Sequence, residues 1–265
     1  MKDSIKRKIT LKSIMIGSRK IAYRQAGQGD PIILLHGSHR SSYLFQPAMA
    51  ELSKKFFVIA PDRPGYGNSD PILPQDPLPD MAAFCREFLS ALGIPSAHWI
   101  GESRGGGICI ELAAETPSIV QRLVLVAPVG LPPRELPKPA EIGARSGWEW
   151  FLERSLEHPE MLDEEDKEVI LANLAKAEPY ETMRLLDQSP SYVVEGLVSS
   201  IIRVRAPVLL AWGRQDPVFP VECVERFREL LINLQATLIL DDARHLLHFE
   251  RVAEFCDAVL EFLEN

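Results

Sequence analysis

Short, wholly apolar runs alternate with amphipathic stretches along most of this chain. Runs of this length, bounded by turn-forming residues, indicate strands that are buried on both faces of a sheet. Between them, apolar positions recur with the spacing of a helix. The predicted buried strands are Pro31–Leu35, Phe56–Ala60, Ala97–Ile100, Leu123–Val126, Val208–Trp212 and Thr237–Leu240. The predicted helices include Tyr43–Leu52, Asp80–Leu92, Ile108–Ala114, Val221–Leu231 and Leu247–Leu263.

The alternation of strand and helix predicts an α/β fold. Short connections between the elements imply right-handed βαβ units and a mostly parallel sheet that is flanked by helices. Before these units, Ile9–Met15 and Arg19–Arg24 alternate apolar and polar residues around Gly17 and Ser18. That pattern is typical of a β-hairpin, which would add antiparallel strands at one edge of the sheet.

The alternation is interrupted between residues 130 and 205, where no strand-like run occurs. Four prolines (Pro132, Pro133, Pro137 and Pro139) predict an extended linker. Helical patterns follow: one places Trp148, Phe151, Leu152 and Leu156 on a single face, a second runs from Asp163 to about Lys176, and others cover Tyr180–Leu186 and Ser191–Ile202. We therefore expect a core domain made of residues 1–129 and 206–265, and a helical cap, or lid, made of residues 130–205.

Composition excludes several classes of function. The formal net charge is −8, and the basic residues form no block beyond Lys6–Lys8, which argues against a nucleic-acid partner. No apolar run approaches the roughly 18 residues of a membrane span, and the polar start Met1–Lys8 lacks the apolar stretch of a secretory signal. We expect a cytoplasmic monomer or homodimer that does not bind a membrane.

The four cysteines point away from metal or redox chemistry. Cys85, Cys109, Cys223 and Cys256 are far apart, fall in helix-like runs and form no C-x-x-C pair. We expect them to be small buried apolar residues, and we expect no metal and no cofactor.

The stretch Gly101-Glu102-Ser103-Arg104-Gly105 carries the strongest chemical signal. It reads G-x-S-x-G and joins a predicted strand to a predicted helix. A turn this sharp holds its central residue in strained backbone geometry and leaves little room for a Cβ on the flanking residues. It also raises the serine hydroxyl above the sheet edge, at the positive end of the helix. Ser103 is therefore the candidate nucleophile.

A serine nucleophile needs an imidazole to take its proton and a carboxylate to orient that imidazole. In an open parallel sheet these groups should lie on loops at the carboxyl ends of strands. Asp216 follows the Trp212 strand, and His245 follows the last strand, so we predict Asp216 as the orienting carboxylate and His245 as the general base. The backbone N–H groups of Ser38 and Arg104 are the candidate oxyanion donors. His36 is expected to orient a loop, and His248 to be a packing residue.

These motifs together resemble the α/β-hydrolase fold superfamily over nearly the whole chain. The matching segments are His36-Gly37, Asp62–Ser69, Gly101–Gly106, Gly213–Asp216 and the His245 region, in the chain order Ser, Asp, His. The resemblance implies a serine-nucleophile, esterase-like enzyme with a helical cap, acting on a small-molecule ester. Cap side chains would line an apolar acyl pocket. The residues expected to contact substrate are His39, Trp148, Phe151 and Leu246, with Trp150, Tyr180, Met183 and Leu186 as further cap residues.

Departures from the family pattern narrow the chemistry without fixing it. Glu102 and Leu246 stand where the carbon–carbon hydrolases of the meta-cleavage type carry Asn and Trp, which counts against that reaction. Glu102-Ser103 resembles plant hydroxynitrile lyases, but those carry Lys after the histidine, and a serine nucleophile excludes the mechanism of epoxide hydrolases. Carboxylic ester hydrolysis is the first hypothesis. Carbon–carbon hydrolysis, lactone opening or a lyase reaction on the same triad is the second, and a non-catalytic ligand-binding protein is the third.

Overall fold

A single eight-stranded sheet forms the centre of the molecule. The computed structural model of the chain describes residues 9–72, 80–131, 148–176 and 196–265. The strands are β1 Thr10–Ile16, β2 Arg19–Ala26, β3 Pro31–Leu35, β4 Phe57–Pro61, β5 Ala97–Glu102, β6 Val120–Val126, β7 Val208–Gly213 and β8 Leu234–Leu240.

The strand order is β1-β2-β4-β3-β5-β6-β7-β8. The hairpin β1–β2 is antiparallel and joins β4 in antiparallel fashion, whereas β4, β3 and β5 through β8 run parallel to one another. This arrangement confirms the predicted α/β fold with a mostly parallel sheet and an antiparallel edge. The carboxyl ends of β3, β5, β7 and β8 therefore meet at one edge of the sheet.

Successive residues of the central strands point to opposite faces of the sheet and feed two separate cores. In β3, Ile33 and Leu35 pack on one side, while Ile32 and Leu34 pack on the other. All four are essentially inaccessible to solvent. Because both faces are covered by helices, these strands read as continuous apolar runs in the sequence.

The helices are α1 Gln46–Leu52, α2 Met81–Ala91, α3 Arg104–Glu115, α4 Trp148–Ser155, α5 Glu164–Lys176, α6 Val198–Ile201, α7 Cys223–Leu230, α8 Leu247–Glu250 and α9 Val252–Glu264. Two predicted helices are corrected. The helix expected over Tyr43–Leu52 begins as a 3-10 turn, Ser42–Phe45, and becomes α-helical at Gln46, where Pro47 occupies the first turn. The single helix expected over Leu247–Leu263 is broken at Arg251, whose backbone has φ −119° and ψ 57°.

The described part of residues 130–205 is helical, and between β6 and β7 the described residues include no strand. Its helices α4 and α5 pack against the loops that follow β3 and β8, in a cluster with Tyr43, Leu246 and Phe249. The linker prolines, the Tyr180–Leu186 helix and the start of the Ser191–Ile202 helix lie outside the described residues. So do the side chain of Trp150 and residues Met1–Lys8.

All four cysteines are buried, reduced and placed in helices. Burial raises the pKa of the Cys256 thiol to about 12, so this group behaves as an apolar side chain. Across the described ranges, no helix combines the length and the apolar character that crossing a membrane requires.

Candidate active site

Ser103 lies in the sharp turn between β5 and α3. Its backbone has φ 52° and ψ −117°, a conformation that L-residues rarely adopt and that costs of order 1–3 kcal/mol. The flanking glycines leave room for the turn: a Cβ on Gly105 would lie 2.0 Å from the carbonyl oxygen of Leu35, and a Cβ on Gly101 would lie 2.6 Å from that of Gly105. The close approach of neighbouring backbone therefore requires glycine at both ends of the G-x-S-x-G sequence.

The turn places Ser103 at the amino-terminal end of α3. The residue is 7% exposed, and its backbone N–H donates to the carbonyl oxygen of Val126 at 2.9 Å. Unpaired N–H groups and the helix dipole make this end of α3 electropositive. Such an environment stabilises negative charge that develops next to the serine hydroxyl.

Asp216 and His245 are brought together from the loops after β7 and β8. Nδ1 of His245 donates to Oδ2 of Asp216 at 2.7 Å, and both side chains are buried. The other oxygen of Asp216, Oδ1, accepts the backbone N–H groups of Val218 at 2.7 Å and Phe219 at 3.1 Å. Since every oxygen has a fixed role, the carboxylate orients the imidazole with Nε2 as its proton-accepting atom.

Nε2 of His245 is buried, and among the described residues no group hydrogen-bonds to it. Ser103 and His245 line the same cavity. The atom that would take the serine proton is therefore not committed to another hydrogen bond. Catalytic hydrogen bonds commonly tighten only when substrate is bound.

A buried ion pair, formed by Glu102 and Arg40, lies beside the imidazole. Oε1 of Glu102 accepts from Nη1 of Arg40 at 3.1 Å and is 3.5 Å from Nε2 of His245. Its Oε2 accepts the backbone N–H of Gly37 at 2.7 Å. Burial acts to raise the pKa of Glu102, but Arg40, the two histidines His245 and His248 and the Gly37 N–H together lower it, so the carboxylate stays ionised.

This ion pair connects three parts of the site that are distant in sequence. Glu102 precedes the serine, Gly37 precedes the candidate oxyanion residue Ser38, and Nη2 of Arg40 donates to Oγ of Ser155 at the end of α4 at 3.1 Å. From the sequence, Glu102 stands out only as a departure from the family pattern, and its pairing with Arg40 is not predicted. The signal that could have revealed the pair is an acidic residue at the end of an otherwise apolar strand, because a buried carboxylate needs a partner.

His36 supports the loop after β3. Both of its ring nitrogens form hydrogen bonds to the backbone of other residues, not to the candidate nucleophile. Its Nε2 accepts the backbone N–H of Arg63 at 3.0 Å, so Nδ1 carries the proton and donates to the carbonyl oxygen of Gly37 at 2.8 Å. Burial, followed by the charge of Arg63, holds the pKa of His36 well below its usual value. The ring is thus neutral and orients the loop.

His248 is also buried and neutral. Its ring packs between Phe45 and Phe255, and burial lowers its pKa to about 4. Outside the site, His98 packs edge-on against Phe56, and His158 pairs with Asp242 at 2.8 Å and with Glu160 at 3.1 Å. His245 differs from these histidines because it is buried, is oriented by a carboxylate and lines the same cavity as Ser103.

A cavity of about 230 Å³ opens above Ser103. It is bounded by the loops after β3 and β7, the start of α3 and the end of α4. Its lining residues are Ser38, His39, Arg40, Ser103, Arg104, Val129, Phe151, Arg154, Ser155, Val218, Phe219 and His245. Both candidate oxyanion residues, Ser38 and Arg104, are therefore at the cavity, together with the nucleophile and the base.

Of the four residues expected to contact substrate, His39 and Phe151 line this cavity and two do not. Leu246 is fully buried, because its side chain joins the cluster with Tyr43 and Phe249. Trp148 stacks on Phe151 with ring centroids 6.1 Å apart. The apolar side chains of Val129, Phe151, Val218 and Phe219 share the lining with charged and polar side chains. Tyr180, Met183 and Leu186 lie outside the described residues.

Glu250 ties the loop that carries His245 to the helical segment. Its carboxylate accepts the backbone N–H groups of Arg244 at 2.8 Å and His158 at 2.9 Å, and also that of Glu157. These contacts join α8 both to the loop that carries His245 and to the segment that follows α4. Within the described ranges, no cluster of three or more His, Cys, Asp or Glu side chains could hold a metal ion.

Comparison with known proteins agrees with this architecture. Residues 30–160 match the family model described as alpha/beta hydrolase fold. The solved structure of the meta-cleavage product hydrolase from Pseudomonas fluorescens superposes with a TM-score of 0.82 over 96% of this chain and 97% of that one, at 24% identity. At this level of identity the likeness concerns the fold.

Curated relatives match either a part or nearly the whole of the chain. An uncharacterised protein of Mycobacterium bovis is 35% identical over 122 residues, which is 46% of this chain and 36% of the relative. This chain thus spans little more than a third of that relative's length. Lipase 3 of Moraxella sp. is 25% identical over 261 residues, which is 93% of this chain and 82% of the lipase.

Proposed function

The chain belongs to the α/β-hydrolase fold superfamily, and we propose that it is a serine hydrolase that cleaves carboxylic esters of small or medium size. The observation that carries the proposal is the convergence of Ser103, a carboxylate-oriented His245 and two oxyanion candidates on one cavity. The similarity to Lipase 3, which extends over most of both chains, supports ester cleavage.

In the proposed acylation, Oγ of Ser103 attacks the ester carbonyl carbon as Nε2 of His245 takes the hydroxyl proton. The carbonyl oxygen becomes an oxyanion, which the N–H groups of Ser38 and Arg104 bind. Asp216 stabilises the imidazolium through its hydrogen bond to Nδ1. The tetrahedral adduct then breaks its bond to the alkoxy oxygen, and His245 delivers the proton to the leaving alcohol, which gives an acyl-enzyme on Ser103.

In the proposed deacylation, a water molecule attacks the acyl carbon and gives a proton to Nε2 of His245. The second tetrahedral adduct releases the carboxylic acid, and His245 returns the proton to Oγ of Ser103. The sequence of steps consumes one ester and one water and needs no cofactor. We also propose residues 130–205 as a cap over the site, since Phe151, Arg154 and Ser155 already contribute to the cavity lining.

Covalent labelling with chain-length kinetics tests this function. We expect a fluorophosphonate probe to form an adduct that mass spectrometry locates on Ser103, and the labelling to be lost in His245→Ala. We also expect turnover of 4-nitrophenyl acetate, butyrate and octanoate, with a preference for the shorter acyl chains because the cavity is below the roughly 300–1,000 Å³ of drug-sized pockets. The absence of both the adduct and ester turnover would overturn the proposal.

The same panel separates the alternatives that share the triad. Labelling of Ser103 without ester turnover, together with cleavage of a vinylogous β-diketone or of a lactone, would reassign the chemistry. Intact ester turnover with no cleavage of these compounds supports the proposed reaction. A protein that neither labels nor turns over any of them would be a ligand-binding member of the fold.

Glu102→Gln is expected to lower kcat by about 10-fold, since the amide cannot keep both the charged pair with Arg40 and the acceptor for Gly37 N–H. Glu87→Gln, at an exposed position of α2, is the matched control. A variant with unchanged kcat would contradict this role.

A further inference from the structure

The cavity above Ser103 is rich in positive charge although the whole chain is acidic. Arg40, Arg104 and Arg154 line the cavity. Among the described residues, no aspartate or glutamate is part of this lining. The chain as a whole carries a formal charge of −8. Three arginines in a small cavity are therefore a local feature of the site.

The three arginines differ in how their charge is used. Arg40 pairs with Glu102 at 3.1 Å, so its charge is compensated. The charge of Arg104 acts on Glu111. Burial raises the pKa of Glu111, and the positive charge of Arg104 offsets part of that rise. Arg154 lies in α4 and reaches the cavity from the helical segment. Because Arg40 pairs with Glu102 and Arg104 adjoins the nucleophile, Arg154 is the arginine whose substitution leaves both the ion pair and the residue next to Ser103 in place.

His39 reports the sign of the local potential. The imidazole lines the cavity, and its pKa is lowered to about 4, first by burial and then by the charges of Arg40, Arg154 and Arg63. Arg40 and Arg154, which also line the cavity, therefore act on the space that a substrate group would occupy.

We propose that the natural substrate is an ester that carries a carboxylate, which binds at Arg154 and Arg104 while Ser103 attacks the ester carbonyl. Guanidinium groups suit this task because their planar donors match a carboxylate and stay charged. The cavity volume of about 230 Å³ limits the acid to a short one, such as a monoester of a dicarboxylic acid. The inference rests on the proposed ester hydrolysis.

Paired esters test the proposal with the whole protein. For a carboxylate on the acyl side, 4-nitrophenyl hemiadipate is compared with the neutral 4-nitrophenyl heptanoate. For a carboxylate on the alcohol side, 4-carboxyphenyl butyrate is compared with 4-carbamoylphenyl butyrate. We expect at least one acid to exceed its neutral partner in kcat/KM by about 10-fold or more, and the pair that does so identifies the side of the substrate that bears the charge.

Variants then assign the preference to Arg154. Arg154→Gln should lower the acid-to-neutral ratio by about 10-fold and leave the neutral ester almost unchanged, whereas Arg154→Lys should keep part of the preference. Arg203→Gln, at an exposed position outside the cavity, is the matched control. Neutral esters that are hydrolysed as well as the acids, or a ratio that Arg154→Gln does not alter, would overturn the inference while leaving the ester hydrolase intact.

Failure of the proposed ester hydrolysis can be distinguished from failure of the proposed carboxylate subsite. If no ester is turned over and Ser103 is not labelled, calorimetry with adipate and with hexane-1,6-diol still measures the anion preference directly. Adipate that binds more tightly than the diol, and more weakly to Arg154→Gln than to the parent, supports the charged subsite without ester chemistry. Equal binding of the two compounds overturns it.

Discussion

Ser103→Ala is expected to lower kcat/KM for a 4-nitrophenyl ester by about 10⁴- to 10⁶-fold, to a level set by the remaining oxyanion donors and substrate binding. The loss is this large because the reaction needs the covalent bond to Oγ and cannot be completed by His245 alone. Alanine fits the turn as serine does, since it keeps the Cβ of residue 103 and loses only Oγ. The melting temperature should therefore change little.

A matched control separates this effect from the removal of any hydroxyl. Ser199 is exposed on α6 and lies outside the cavity, so Ser199→Ala should retain full activity. Both variants are assayed at equal concentration, with circular dichroism to verify folding. If the activity of Ser103→Ala stayed within 100-fold of that of the parent, a group other than the Ser103 hydroxyl would be the nucleophile.

The sheet could be predicted from the sequence because its strands are covered on both faces. Continuous apolar runs such as Pro31–Leu35 have one stable environment, the centre of a parallel sheet between helices. The position of Ser103 also followed from the sequence, since the contact of Gly105 with the Leu35 carbonyl leaves no room for a Cβ. Where sterics or complete burial decide, local pattern suffices.

The polar contacts across the site could not be predicted in the same way. Arg40 and Glu102 are 62 residues apart, and Arg40 lies in a loop without any periodic pattern. The sequence indicates that a carboxylate at the end of β5 needs a cation, but not which arginine supplies it. Long-range pairs of this kind depend on how loops from different strands meet at the sheet edge.

The segment over the site shows the same division. The helical pattern places Trp148, Phe151, Leu152 and Leu156 on one face, and of these Phe151 and Leu156 are buried. This apolar face does not indicate that Arg154, on the other side of that helix pattern, reaches the cavity. Leu246 was expected at the substrate because it follows the base, whereas its backbone N–H donates to Ser155 and its side chain packs under the helical segment.

A large loss of kcat/KM is also expected for Asp216→Asn, because of the hydrogen bonds that Asp216 makes. Oδ1 is held by the N–H groups of Val218 and Phe219, so asparagine must place its oxygen there and turn its NH₂ toward His245. Nδ1 of the imidazole would then have to accept a hydrogen bond instead of donating one. The proton moves to Nε2, and that atom can no longer take the proton of Ser103.

We therefore expect Asp216→Asn to lower kcat/KM by about 10³- to 10⁴-fold with little change in the melting temperature, because asparagine matches the shape of aspartate and both oxygen-side contacts persist. Asp257→Asn, exposed on α9, removes the same charge away from the site and should leave activity unchanged. The two variants are compared by ester kinetics and by the rate of fluorophosphonate labelling, which also needs proton transfer from Ser103. A loss below about 10-fold would show that the imidazole keeps its working tautomer without the carboxylate, and Asp216 would then act only as a turn residue that caps Val218 and Phe219.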